Sequence, residues 1–219
     1  LTLSDEELQP VGVGLYPAAA LANHACDPSA AQTFEGATLV VRALRALPTG
    51  TAVTLAYVDV AQSRAARRAA LLRAYAFECA CEVCAAPEAA AAPAEAAALE
   101  RRTAAVLAAI EQGAWEEARA QAEAGCELAT RLYPPAAPAL GVHLLRLGKL
   151  QAHADQLPHA VASWRRALAI LRVSHGEAAP LVRQLQRDLD GAQAELQGAA
   201  ASAGHGDEVE RAAISAAEA

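Results

Sequence analysis

The chain has 219 residues, 54% hydrophobic, 20% charged and only 4% aromatic, enough for one large or two small globular units. A formal net charge of −7 argues against a nucleic-acid reader, which needs a basic surface for phosphates, and suits a basic partner better. No stretch approaches the ~20 uninterrupted apolar residues of a membrane span, and the N-terminus lacks the basic-then-apolar layout of a signal peptide.

In chain order, Leu1 to Gln9 is acidic at Asp5, Glu6 and Glu7, and Ser4 is a usable cap for a short helix ending at Pro10. The glycines of Val11-Gly-Val-Gly-Leu-Tyr-Pro17 lack the third glycine of a dinucleotide loop, so they read as turn or close-packing positions. Ala18 to Ala22 forms a helical turn that delivers Asn23-His24-Ala25-Cys26, and Asp27-Pro28 turns the chain. Gln32 to Phe34, Thr38 to Arg42 and Ala52 to Tyr57 read as strands, with turns at Glu35-Gly36 and Pro48-Thr-Gly50.

Ser63 caps a helix running to Tyr75, whose Arg64, Arg67, Arg68 and Arg73 read as a solvated face. Ala85 to Ala98, rich in Ala, Pro and Glu, reads as a linker that turns partly helical after Pro93. Beyond it, Leu99 to Leu132, Pro138 to Asp155, Pro158 to Val173 and Ala179 to Leu196 show helical apolar spacing. Paired, they repeat every ~35 to 45 residues, the range of tetratricopeptide-like units. Both tryptophans, Trp115 and Trp164, are expected in the packing between helices. Gly198 to Ala219 has few large apolar residues and reads as a disordered tail.

The chemistry concentrates between Asn23 and Cys84. In a cytoplasmic or nuclear setting, the compartment expected for this chain, thiols stay reduced and dense cysteines read as metal ligands. Cys79, Cys81 and Cys84 supply three thiolates from one loop, and a closed zinc site needs four ligands. Cys26 is the best match for the fourth, with His24 as a competitor. Cys126 falls in a helical pattern and reads as an inert core thiol. Four thiolates leave no open coordination position, so the metal is expected to be structural. Such a site draws Asn23, His24, Tyr75 and Phe77 together, and an aromatic face beside an Asn suits a purine. Tyr57, at a strand end, could point a phenol into the same cleft; ordinary core packing is the alternative for Tyr57 and Phe77.

The ordered set Gly12-Val-Gly-Leu-Tyr-Pro17 to Asn23-His24-Ala-Cys26-Asp-Pro28, Thr54-Leu-Ala-Tyr57-Val-Asp59, Arg67-Arg68 and Tyr75-Ala-Phe77-Glu-Cys79-Ala-Cys81-Glu-Val-Cys84 resembles the SET and post-SET portion of the SMYD (SET and MYND domain) lysine methyltransferases. Val142-His143 to Gln151 and Ala167 to Gly176 resemble that family's helical C-terminal domain. The resemblance implies S-adenosylmethionine as methyl donor, a lysine-bearing protein or peptide as acceptor, and zinc as structural metal. By the same resemblance, Asn23, His24, Tyr75 and Phe77 line the donor site and Tyr57 is the catalytic tyrosine that also borders it. Cys26, Cys79, Cys81 and Cys84 would be the metal ligands. Departures from the family pattern are Ala25 after Asn-His, Ser29, and Thr51-Ala52 after Gly50.

The fold class expected is α+β. Residues 1–60 would form a β-rich C-terminal part of a SET domain, 61–88 a zinc-bound post-SET segment and 89–98 a linker. An all-α TPR-like domain would follow over 99–197, with the tail at 198–219. The chain has no Met and starts at Leu1, and the family's first SET segment and MYND finger have no counterpart in it. It is therefore expected to be a fragment of a methyltransferase whose parent is the active enzyme. The alternative is a non-catalytic, zinc-stapled scaffold whose helical groove takes a peptide or a chaperone tail.

Overall fold

The computed structural model describes residues 2–217, with side chains described for residues 3–199. Three two-stranded ladders are followed by a helical array. The first, β1 (Thr2–Ser4) with β2 (Pro10–Val13), is antiparallel with an irregularity at Leu3/Ser4. A helix was expected here. Instead the Asp5 carboxylate accepts from the amides of Glu7 and Gln9 at 2.9 and 2.8 Å, closing a turn in which Leu8 has φ of 62°. An acidic side chain bonding backbone two residues on offers the chain an alternative to helix. The close-packing reading of the glycines holds at Gly14, where a Cβ would meet the Tyr16 ring at 2.6 Å.

A single 3-10 turn at Ala19–Leu21 leads into β3 (Asn23–His24), which pairs in parallel with β6 (Thr54–Leu55). Between them, β4 (Ala30–Glu35) and β5 (Thr38–Ala43) form a hairpin in register from Ala30↔Ala43 to Glu35↔Thr38, turning at Gly36 with φ of 60°. Positive φ there suits a residue without a Cβ. β6 is shorter than the expected Ala52 to Tyr57 strand because side chains take over its ladder: the Thr54 amide donates to Ser29 Oγ at 2.9 Å, and Thr54 Oγ1 accepts from the Ser29 amide.

α1 (Arg64–Tyr75) starts where expected, with Ser63 Oγ accepting from the Ala66 amide, and ends at Ala76 in the left-handed region. A one-turn helix, α2 (Glu82–Ala85), follows inside the cysteine loop. Then come α3 (Ala92–Glu111), α4 (Trp115–Leu132), α5 (Pro138–His153), α6 (Leu157–His175) and α7 (Pro180–Ala217). The stretch from Leu99 to Leu132 thus divides at Gly113, whose φ of 69° helps end α3. α3 also takes up part of the expected linker. The tail read as disordered is helical in backbone as far as Ala217; residues 218 and 219 lie outside the described residues.

The helices pack chiefly as α3 on α4 and α5 on α6, around Leu140, Leu144, Leu145, Leu168, Leu171 and Leu185. Close approach of α5 and α6 requires Gly148, where a Cβ would lie 2.3 Å from the Trp164 indole. Trp164 is buried and donates to the Leu145 carbonyl at 3.3 Å. Trp115 departs from expectation: at the first residue of α4 it is exposed and lies against the His153 ring.

The Asp5–Gln9 turn joins the two halves of the chain. Leu8 packs on the helical core, Glu6 caps α7 by accepting from the Leu181 amide at 2.6 Å, and His175 Nε2 donates to the Glu6 carbonyl. Glu7 pairs with Lys149 and Arg146 on α5 at 2.9 and 3.5 Å.

Candidate functional site

Three segments converge on one cluster of four sulfurs. Cys26 follows β3, Cys79 and Cys81 lie in the loop after α1, and Cys84 sits in α2. Their sulfur atoms all lie within 4.8 Å of one another, and Cys26, Cys79 and Cys84 are buried. Cys26 and Cys84 approach to 3.6 Å. A tetrahedral zinc with Zn–S bonds of about 2.3 Å sets neighbouring sulfurs about 3.8 Å apart, so the donor set, its spacing and its burial fit a closed zinc site. The fourth member is Cys26, as expected. His24 lies outside the sulfur set and supports it.

Burial pushes the Cys26 and Cys79 thiols up. Burial pushes Cys81 up too, but hydrogen bonds from the backbone of Cys26 and Cys84 outweigh it and bring that thiol to about 7. A bound metal would take all four as thiolates.

His24 connects the sulfurs to Tyr57. Its Nδ1 accepts from the Tyr57 amide at 3.1 Å, and its Nε2 lies 3.4 Å from Cys26 Sγ. Because Nδ1 is occupied as an acceptor, the neutral ring carries its proton on Nε2 and donates it to sulfur. Burial holds His24 below the ordinary histidine range, an effect the backbone at Leu55 opposes and Arg67 reinforces. That keeps the ring in the neutral form this bridge requires.

The aromatics gather on the same side. The Tyr57 ring lies 5.4 Å from His24, 4.7 Å from Tyr75 and 6.4 Å from Phe77, and the last pair meet edge to face. The His24 and Phe77 rings are 6.2 Å apart. Tyr57 and Phe77 are half-buried, whereas Tyr75 and Asn23 are exposed. The Tyr57 hydroxyl donates to the Ala22 carbonyl. Of the residues singled out for the donor site, His24, Tyr57, Tyr75 and Phe77 therefore gather beside the cysteine cluster, and Asn23 precedes His24 in β3. An exposed aromatic face of this kind can stack a planar ring.

Two residues escaped the sequence reading. Arg67 and Arg68 were expected on a solvated face, but Arg67 is buried, with Nε 3.2 Å from Cys26 Sγ. Arg68 donates to the Cys79 and Cys84 carbonyls at 3.2 and 3.3 Å. The signal was there: Arg67 stands four residues before Leu71, the fully buried residue of α1, so the two share a helix face. Cys126 is a core thiol as expected, pushed up to about 12 by burial.

A groove of about 520 Å3 runs between the segment after β6 and α3, lined among others by Asp59, Ser63, Glu100, Tyr133 and His143. Among the described residues, no helix is long and apolar enough to cross a membrane.

No family model matches the chain. Among curated proteins, it is 29% identical over 231 residues to the human histone-lysine N-methyltransferase SMYD3, covering 84% of the chain and 54% of that protein. It is 24% identical over 280 residues to the Arabidopsis thaliana histone-lysine N-methyltransferase ASHR1, covering 89% and 58%. The human N-lysine methyltransferase SMYD2 is 35% identical over a shorter stretch of 83 residues, 38% of the chain and 19% of that protein. The chain spans just over half the length of the first two relatives. The ordered motifs and these matches agree in making the chain similar to the SMYD lysine methyltransferases.

Proposed function

We propose that the chain forms the metal-stapled wall of the active site of an S-adenosylmethionine-dependent protein-lysine N-methyltransferase, with zinc as the structural ion in the Cys26, Cys79, Cys81 and Cys84 cluster. The observation that carries this reading is the His24 bridge, which couples the sulfur cluster to Tyr57 in the middle of the aromatic wall. A metal staple that positions a phenol beside exposed aromatic and amide groups is arranged for a bound cofactor.

In this reading Phe77 and Tyr75 stack the donor's purine and Asn23 hydrogen-bonds it. The donor, when bound, supplies an electrophilic methyl group on a sulfonium. Transfer to an amine then depends chiefly on alignment, and the amine must arrive neutral. Tyr57 supplies the alignment. Its hydroxyl proton is committed to the Ala22 carbonyl, so its oxygen keeps acceptor capacity for an amine N–H. Positive charge developing on the amine is stabilised by that oxygen, already polarised toward Ala22. The carboxylates of Asp59 and Glu100 in the groove give a lysine-bearing peptide a complementary path, consistent with the acidic balance of the chain. A cytoplasmic or nuclear location agrees with reduced cysteines.

The test is transfer of labelled methyl from S-adenosylmethionine to lysine-bearing proteins by the full-length gene product that carries this chain. Tyr57→Phe should lower turnover by about 10²–10³-fold, the range for one lost preorganised hydrogen-bonding group, while donor binding by calorimetry stays within a few-fold. A Tyr57→Phe enzyme as fast as wild type, or a wild-type protein that binds no donor, would sink this reading.

A further inference from the structure

The proposal concerns Arg67 and rests on the reading of the cysteine cluster as a metal site. Arg67 is 6% exposed, although it belongs to a helix with three other arginines. Its acceptors are unusual for a buried cation. Nε donates to Cys26 Sγ at 3.2 Å and Nη2 lies 3.9 Å from Cys84 Sγ, while Nη1 donates to the carbonyls of Val60, at 3.3 Å, and Gln62. Among the described residues, no carboxylate forms an ion pair with it.

A buried guanidinium without a carboxylate needs another source of negative charge. Four thiolates around one divalent ion carry a net charge of about −2, and two of those sulfurs are the ones Arg67 touches. The planar fork lets the same side chain grip sulfur on one edge and backbone on the other. Arg68 offers an internal comparison. It lies on the same helix and holds the same loop, but only through the Cys79 and Cys84 carbonyls.

We propose that Arg67 is an outer positioning residue of the metal centre. It balances the charge of the thiolates through Cys26 and Cys84 and, by holding the Val60 and Gln62 carbonyls, fixes the segment that follows Tyr57. Metal occupancy and the placement of Tyr57 are thereby linked through one side chain, in addition to the His24 bridge.

Cobalt(II) in place of zinc provides the readout, because thiolate-to-cobalt charge transfer responds to hydrogen bonds at sulfur. Wild-type protein should bind cobalt with the visible spectrum of a tetrahedral four-sulfur site; if it takes up neither cobalt nor zinc, the metal reading fails, and the role of Arg67 with it. Given that spectrum, Arg67→Met should bind metal about 10–100-fold more weakly, the usual cost of losing an outer partner, and shift the charge-transfer band. Arg67→Lys, which keeps the charge, should recover part of the affinity. Arg68→Met should leave the band in place. Arg67→Met with wild-type affinity and an unshifted band would overturn the proposal while leaving the metal site intact, as would an equal band shift in Arg68→Met. Should Arg67→Met fail to fold, Arg67→Lys against Arg67→Gln decides the matter: glutamine keeps a donor without charge, so it should bind more weakly than lysine, and equal binding refutes the charge-balancing role.

Discussion

Removing the metal should unfold the cysteine loop and leave the helical array standing. The buried side chains of the smaller core are Cys26, Leu71, Cys79 and Cys84, with Tyr57, Val58, Phe77 and Cys81 partly buried against them. Full burial of a leucine such as Leu71 contributes about 1.5–3 kcal/mol. Against that stands the ordering of roughly ten residues, from Phe77 to Ala86, whose only regular element is the one-turn α2; at about 1.5 kcal/mol per residue, this costs roughly 15 kcal/mol. Structural zinc contributes about 10–16 kcal/mol, which is the size of the deficit. The assay is amide hydrogen exchange read by mass spectrometry, before and after a chelator, with metal content measured in parallel. Amides of the loop and of the last turn of α1 should lose protection on chelation, while α3 to α6 keep theirs. If the loop stays protected once the metal is shown to be gone, apolar burial suffices and the reasoning is wrong.

Two further outcomes follow from hydrogen bonds and burial elsewhere. His24→Ala leaves the Tyr57 amide without its acceptor, at about 1–3 kcal/mol, and removes ring contacts worth about 0.5–1.5 kcal/mol; thermal melting should show the loss with metal content unchanged, and His24→Gln, which restores an acceptor, should recover part of it. A variant as stable as wild type would refute the bridge. Burial holds the imidazoles of His143 and His175 below the ordinary histidine value; His143 faces Tyr133, Asp59 and Arg146, and His175 faces Ser174, the Glu6 carbonyl and Arg42. The unfolded chain therefore takes up protons first as pH falls through about 6.5, so the stability of the neutral rings is complete above that pH and is lost progressively below it. Melting temperature should drop between about pH 7.5 and 5.5, and a His143→Gln, His175→Gln double variant should show a flatter profile; an equal slope in both proteins would count against the burial argument.

The parts legible in the sequence were those where a residue type can do only one job at its spacing. Three cysteines in six positions read as metal ligands, and the structure places Cys26 with them in one group of sulfurs that could hold an ion. The β4–β5 hairpin showed through its run of β-formers around Gly36, and α1 through Ser63. The N-terminal turn did not, because whether Asp5 caps a helix or closes a turn depends on what receives the segment. Here Glu6 and Glu7 are claimed by α5 and α7, far along the chain. Arg67 was legible only in part: its spacing from Leu71 puts both on one helix face, but composition shows a basic helix, and the folded partner decides what an inward arginine meets. Tyr57 lay between these cases. Its pattern was plain, but its neighbours could be named only through a resemblance.

The stretch from Tyr57 to Ala61 gives the two cores their connection. Tyr57 and Val58 pack on the cysteine cluster, whereas Val60 and Ala61 pack into the helical core. Asp59, between them, lines the groove and caps the turn by accepting from the Ala61 amide at 3.0 Å. Five consecutive residues are thus held from both sides, and β6 anchors them through only two ladder positions. A strand this short cannot fix a side chain by itself. The register of Tyr57 must therefore come from the His24 bridge and the cysteine cluster on one side and from the seating of Val60 and Ala61 on the other. On that view the helical array belongs to the architecture of the proposed site: it supplies the second of two clamps on the segment that presents the phenol.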